Sequence, residues 1–271
     1  MSTTQDEGTR GEYALDSGSA LGVEQLGFLE RLLDHQTTGV LAATGIGPGW
    51  RCLELGAGGG SIARWLAGRA GPAGSVLAVD LEIGNVDVPP EVQVRRHDLN
   101  DGMPGGGPFD LVHARTVLMH LRRREDILRG LVDLLAPGGW LVIGEYVGPQ
   151  EHLLSAPSRA DADLFHRVQD VAHNVVGRGA GVSYEWPREV AGHMTAAGLV
   201  DVETIEYVHT SAGGDTAALL SSNYVRQLAE PLLAAGLTVD ELDGYHTLMR
   251  DPRFRAWFYP YVCARGRNAT G

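Results

Sequence analysis

The residues best suited to chemistry in this chain stand at the ends of apolar runs. Glu54, Gly56, Gly58 and Gly60 lie within RCLELGAGGGSIARWLA, Asp80 closes SVLAVD, and Asp98 closes EVQVRRHDL. Glycines at this spacing can take positive φ and carry no Cβ, so a ligand can approach the main chain closely. An acidic side chain at the end of the following strand can accept hydrogen bonds from ribose hydroxyls. A nucleotide-like ligand is therefore the first expectation. His166 and His173 share a helical face but lack Cys or carboxylate partners at metal-binding spacing, so no metal is expected.

The elements that must position these residues follow from the hydrophobic period. Cys52, Leu53 and Leu55 form a short buried strand, and Ile62, Trp65 and Leu66 then recur at helical spacing, so residues 51–67 read as strand, turn and helix. Strand two ends at Asp80, strand three at Asp98 and strand four near His113; a helix spans about 124–136, and WLVIGEY is strand five. Pro89 and Pro90 leave room only for a stunted helix between strands two and three. Strands alternating with helices indicate a parallel sheet that binds ligands at the carboxyl ends of its strands. Further on, helices are expected over about 158–176, from Pro187 to Ala197 and through most of 215–250, where Thr238 and Glu241 have capping-box spacing. LVDVETIEYV reads as strand six, and a last strand is expected over Tyr261 to Arg265.

Composition narrows the class. With 271 residues, 44% hydrophobic and 21% charged, the chain is long enough for one large α/β domain or two small ones. Its net charge of -12 repels phosphate backbones, which disfavours nucleic acid. Cys52 and Cys263 each lie in a strand-like stretch and read as reduced core thiols. No long apolar segment occurs and MSTTQDEGTRGE is polar, so no membrane association is expected and a cytoplasmic location is the default.

The detail of the turn discriminates among nucleotide folds. The dinucleotide fingerprint G-x-G-x-x-G requires Gly where Ser61 stands, and the run from Glu54 instead reads E-x-G-x-G-x-G. With Asp80, HDL, FDLVHARTVLMHL and LLAPGGWLV following in order, the sequence resembles the class I S-adenosylmethionine-dependent methyltransferases, most closely those of the small-molecule type. The blocks cover about residues 50–147, and GRGAGVSYEWPREVAGHMTAAGLVDVE and YVCARGR look like the tail of such proteins.

That resemblance implies a Rossmann-like three-layer α/β sandwich with a seven-stranded, mostly parallel sheet, an antiparallel last strand and helical cap insertions. It implies S-adenosyl-L-methionine as cofactor and S-adenosyl-L-homocysteine as product. The cofactor set carried over is Tyr13, Glu54, Gly56, Ala57, Gly58, Gly60, Asp80, Leu81, Asp98, Leu99, His113, Ala114 and Arg115. Glu54 would serve the amino group, Asp80 the ribose, Asp98 and Leu99 the adenine, and residues 113–115 the methionine end, while Tyr13 sits where N-terminal helices close over the cofactor. Methyl transfer is an in-line displacement that needs a base only for a protonated nucleophile. His120 aligns with a family histidine and His166 lies on a segment able to cover the pocket, so both are candidate bases. Tyr146, Tyr184 and Trp186 are candidates for an apolar acceptor wall.

The expected organisation is a single domain over residues 1–271. Residues 1–12 are disordered, 13–45 form N-terminal helices, and 46–149 form the cofactor half; 150–184 and 210–250 are helical cap insertions, while 185–209 and 251–271 complete the sheet. The expected function is methylation of a small-molecule acceptor, a specialised metabolite, at O, N or C, and a homodimer is left open. A non-methylating reaction on the same cofactor, such as a cyclisation, and a non-enzymatic binding protein of the same fold are the alternatives. No N/D/S-P-P-Y/F/W motif, G-x-S-x-G or P-loop is present.

Overall fold

The computed structural model describes residues 18–148 and 152–269. Tyr13 and the stretch 1–12 lie outside the described residues.

Ser19 accepts a hydrogen bond from the Gly22 amide and starts helix α1, Ala20–Ala42, one unbroken helix within the stretch where N-terminal helices are expected. There follow β1 (Arg51–Leu55), α2 (Ser61–Ala70), β2 (Ser75–Asp80) and β3 (Gln93–Arg96). Strand three stops two residues short of Asp98, because Asp98 caps a short 3-10 turn over Leu99–Asp101 through the Asn100 amide. No helix separates β2 from β3, as the two prolines require.

Next come β4 (Phe109–Arg115), α3 (Arg124–Asp133) and β5 (Leu135–Tyr146). Here β5 begins five residues before Trp140, with Leu135 already beside Phe109 and a register shift across Pro137–Gly139. A Cβ on Gly139 would lie 2.8 Å from the Phe109 carbonyl oxygen, so glycine is what admits the bent strand against β4.

The remaining elements are β6 (His152–Ser155), α4 (Arg159–Asp170), α5 (Trp186–Ala196), β7 (Val200–Tyr207), β8 (Thr210–Ala212), α6 (Thr216–Gln227), α7 (Ala229–Ala234), α8 (Val239–Leu248), β9 (Arg255–Trp257) and β10 (Tyr261–Arg267). Thr238 and Glu241 form the expected capping box at α8.

The main sheet has the order β3-β2-β1-β4-β5-β10-β7. Pairs among β1 to β5 are parallel, and β10 runs antiparallel between β5 and β7. Seven strands with an antiparallel last one match the expected fold. The insertions hold more than helix: β6, β9 and β8 make a second, three-stranded sheet, so residues 255–257 do not join the main one. This small sheet closes a separate core that includes Phe165, Val168, Tyr245, Phe254 and Phe258.

Candidate active site

The glycine turn after β1 takes the conformation its composition demands. Gly56, Gly58 and Gly60 have φ of 68°, 54° and 87°, the left-handed region open to glycine at little cost. Its surroundings are equally exclusive: a Cβ on Gly56 would lie 2.3 Å from Val117 Cγ2, and one on Gly60 2.7 Å from the Asp87 carbonyl oxygen. Asp80, at the end of β2, accepts from the Gly58 amide at 2.8 Å through Oδ2 and from the Glu82 amide at 3.1 Å through Oδ1. One carboxylate thus fixes the turn and stays half-buried at the sheet edge. Leu81 beside it is exposed, and Ala57 is buried within the turn. The Asp80 carbonyl receives the His97 amide at 2.9 Å, which brings Asp98 and the buried Leu99 next to Asp80.

Beneath the turn, Glu54 and His113 stand side by side on β1 and β4. His113 Nδ1 donates to Glu54 Oε2 at 2.6 Å, and the two residues are 0% and 2% exposed. Glu54 is therefore held under the turn in a fully enclosed position, its carboxyl committed to His113. His113 Nε2 has no partner among the described residues.

Two residues further, Arg115 meets a partner that the sequence pattern does not reveal. Its Nη1 donates to Asp34 Oδ1 of α1 at 2.7 Å, and the same oxygen accepts from Ser61 Oγ at 3.0 Å. Thr37, one turn on, bonds the Tyr261 hydroxyl at 3.0 Å. Glu30 also leans over the turn, with Oε1 2.4 Å from where a Gly59 Cβ would sit. Burial and the neighbouring Asp34 push its carboxyl above the ordinary range. Polar residues on the apolar-looking helix α1, Glu30, Asp34 and Thr37, are thus the missed contributors. The signal available was their spacing of three to four, which places them on one helical face.

The strand ends add strain and aromatic surface. Thr116 follows Arg115 at φ 53°, uncommon for a residue with a Cβ, held by its amide on the Gly144 carbonyl at 2.8 Å. Tyr146, at the end of β5, packs against Tyr259 and Tyr261 with centroids 5.0 and 5.9 Å away, and its buried hydroxyl has no partner among the described residues. Trp186 belongs to the main core instead, 1% exposed with its ring on His193, whereas Tyr184 packs on His173.

The two candidate bases fare differently from their expectation. His120 lies in a 3-10 turn over Leu118–His120, where burial, helped by Arg124, pushes it down to about 4. It stays neutral at physiological pH and is a weak proton acceptor. His166 points outward from α4, because Phe165 and Val168 take the face that packs into the cap core. It does not share surroundings with His173, which lies in a π-helical stretch, Val171–Gly177, where the wider turn shifts the face. Among the described residues no group of three or more metal-ligating side chains gathers.

The cradle fits a ligand of the expected kind. It offers a glycine turn whose conformation excludes side chains, carboxylates of Asp80 and Asp98 along one sheet edge, and the Asp34–Arg115 charge pair at the other end.

Comparison with known proteins agrees. A family profile described as "Methyltransferase domain" matches residues 26–204. Methyltransferase str2 of Strobilurus tenacellus is 36% identical over 107 residues, covering 39% of this chain and 38% of that protein. A ubiquinone/menaquinone biosynthesis C-methyltransferase of Ectopseudomonas mendocina is 30% identical over 139 residues, covering 48% and 53%. The match thus spans about half or less of these relatives. Among solved structures, Haemonchus contortus phosphoethanolamine N-methyltransferase 2 in complex with S-adenosyl-L-methionine superposes with TM-score 0.56 at 15% identity, covering 93% of this chain and 58% of that one. The Bacillus subtilis YcgJ protein gives 0.54 at 14% identity, covering 88% and 100%. The family profile covers well over half of the chain, and the chain belongs to the methyltransferase-domain family.

Proposed function

We propose that this protein binds S-adenosyl-L-methionine on its glycine turn and transfers the methyl group to a small organic acceptor. The observation that carries the reading is the Asp80 carboxylate locked onto the Gly58 amide between two further positive-φ glycines, beside Arg115 and Asp34. When bound, the cofactor supplies an activated methyl on a sulfonium. The chain's own residues supply the rest. Asp80 and Asp98 would hold the nucleoside end, and Arg115 with Asp34 offers opposite charges to a zwitterionic amino-acid end. The enclosed Glu54 would act from beneath the turn, where it is bonded to His113.

The acceptor side is supported by Tyr146, Tyr259 and Tyr224, a run of rings at 5.0 and 5.9 Å beside Arg115 that suits an organic body better than a polymer backbone. The net charge of -12 points the same way. A specialised metabolite fits these features and the curated relative named "Secondary metabolism regulator laeA" from Coprinopsis cinerea, 32% identical over 99 residues. Burial pushes both thiols, Cys52 and Cys263, up to about 12, which keeps them protonated and unreactive. Among the described residues no helix is long and apolar enough to cross a membrane.

Calorimetry tests the core of this reading. S-adenosylhomocysteine should bind tightly and NAD should not, and the reverse result overturns it. Release of S-adenosylhomocysteine in the presence of a panel of small phenols, amines and acids then separates methyl transfer from mere binding.

A further inference from the structure

Glu145 is the most buried carboxyl in a position to act on the site without touching it. It stands at the end of β5, 0% exposed, next to Gly144, which pairs with Arg115. Its Oε1 accepts from the Met119 amide at 3.2 Å, and the Leu118 and Val117 amides are also directed at it. Oε2 has no partner among the described residues. The carboxyl therefore sits under the turn that runs from the strained Thr116 to Leu121, with backbone donors above it.

That turn is what meets the cofactor loop. Val117 Cγ2 rests where a Cβ on Gly56 would have to go, so any loosening of the turn is felt directly at the first glycine. The outer side of the turn is held elsewhere: Ser183 donates to the Met119 carbonyl at 2.9 Å, and Arg124 Nε to the Leu121 carbonyl at 2.7 Å. Below the turn, the Thr116 amide goes to the Gly144 carbonyl, and the Val117, Leu118 and Met119 amides are directed at Glu145.

We propose that Glu145 is a positioning residue for the cofactor site: the charge on its carboxylate, rather than its bulk, sets how firmly the 116–121 turn holds Val117 against Gly56. The inference rests on the cofactor reading above. An ionised carboxylate makes charge-assisted bonds to the amides, whereas the neutral acid accepts on one oxygen and leaves its hydroxyl unserved. Burial pushes Glu145 up to about 8, against the lowering effect of the amides and of Arg124, so this charge changes just above neutrality. The groups around it do not change with it. Arg124 from α3 stays cationic with Glu125, Glu185 and Glu189 beside it, and His120, held down near 4, stays neutral. A cation in the site favours the ionised form, so affinity for a cationic cofactor and ionisation of Glu145 are coupled reciprocally.

The test is calorimetric binding of S-adenosylmethionine and of S-adenosylhomocysteine at pH 7 and pH 9, to the wild type and to Glu145→Gln. In the wild type, affinity for S-adenosylmethionine should rise with pH at least about fivefold more than affinity for S-adenosylhomocysteine. In Glu145→Gln, which keeps an accepting oxygen and removes the charge, that difference should vanish while S-adenosylhomocysteine still binds within about twofold of the wild type at pH 7. The ligands' own α-ammonium groups titrate alike in both proteins and cancel in the comparison. Glu145→Leu, with no acceptor, should weaken both ligands at both pH values. A flat wild-type difference, or the same difference in Glu145→Gln, overturns the proposal. Failure of both ligands to bind the wild type at either pH overturns the cofactor reading itself, and the proposal with it.

Discussion

Asp34 and Arg115, 81 residues apart in sequence, are joined by a 2.7 Å charge-assisted hydrogen bond that ties α1 to the end of β4 directly beside the glycine turn. The same Asp34 oxygen takes the Ser61 hydroxyl at the first residue of α2. One carboxylate thus gathers three elements where the cofactor half and the N-terminal helix meet.

Removing that carboxylate should cost stability and affinity together. Asp34→Ala leaves Arg115, whose side chain is only 12% exposed, without its counter-charge. Breaking a fully buried pair costs about 3–5 kcal/mol, and the 35% exposure of Asp34 argues for roughly 2 here. Urea unfolding is the measurement, and S-adenosylhomocysteine affinity should fall in parallel.

Asp80→Ala removes the acceptor of the Gly58 amide and the expected ribose acceptor at once. Affinity for S-adenosylhomocysteine should fall by at least about 1 kcal/mol by calorimetry, the net worth of one such hydrogen bond. An unchanged dissociation constant removes Asp80 from the site.

Gly56→Ala should be poorly tolerated for two separate reasons. Its φ of 68° costs an L-residue about 1–2 kcal/mol, and its Cβ would meet Val117 Cγ2 at 2.3 Å. Adding the roughly 1–3 kcal/mol of overpacking gives a total of about 2–5 kcal/mol in urea unfolding. The double variant Gly56→Ala with Val117→Ala should recover the packing part alone.

Stability should also fall as pH rises through neutrality, by a contribution traceable to Glu145. Its carboxyl titrates near 8 when folded and near the ordinary value of 4.5 when unfolded. Between those values the folded state holds a proton that the unfolded state has lost, so the contribution is intact below about 4.5 and lost as pH rises towards 8. Thermal melts from pH 5 to pH 9 should show wild-type stability declining relative to Glu145→Gln, and parallel curves for the two proteins would contradict this.

His120 should show no titration between pH 5.5 and 8 in proton NMR, since burial and Arg124 hold it near 4. An inflection near its ordinary value would restore it as a base.

The legible part of this protein was local. Glycines at 56, 58 and 60 announced positive φ, the change of period across them announced strand then helix, and Thr238 with Glu241 announced a helix start; each depends on residues within one turn or one strand of each other. The seven strands and the antiparallel last one followed from that pattern together with the family resemblance. Short strands without a strong period escaped: β6, β8 and β9 have four, three and three residues and exist only because the chain brings them together.

For the site, sequence order determined that Glu54, the glycines, Asp80, Asp98 and Arg115 stand at strand ends, and a parallel sheet places such ends along one edge. What each side chain does there was decided by tertiary contact. Glu54 is turned inward to His113, Arg115 outward to Asp34, and Glu145 onto the amides of a turn some 26 residues earlier. The physical reason is that periodicity records which face a residue occupies, while its partner and its desolvation depend on segments far along the chain. The histidines show this most plainly. An ordinary imidazole at 120 and another at 166 looked alike as bases, yet burial beside Arg124 disarmed the first and the packing of Phe165 and Val168 turned the second away.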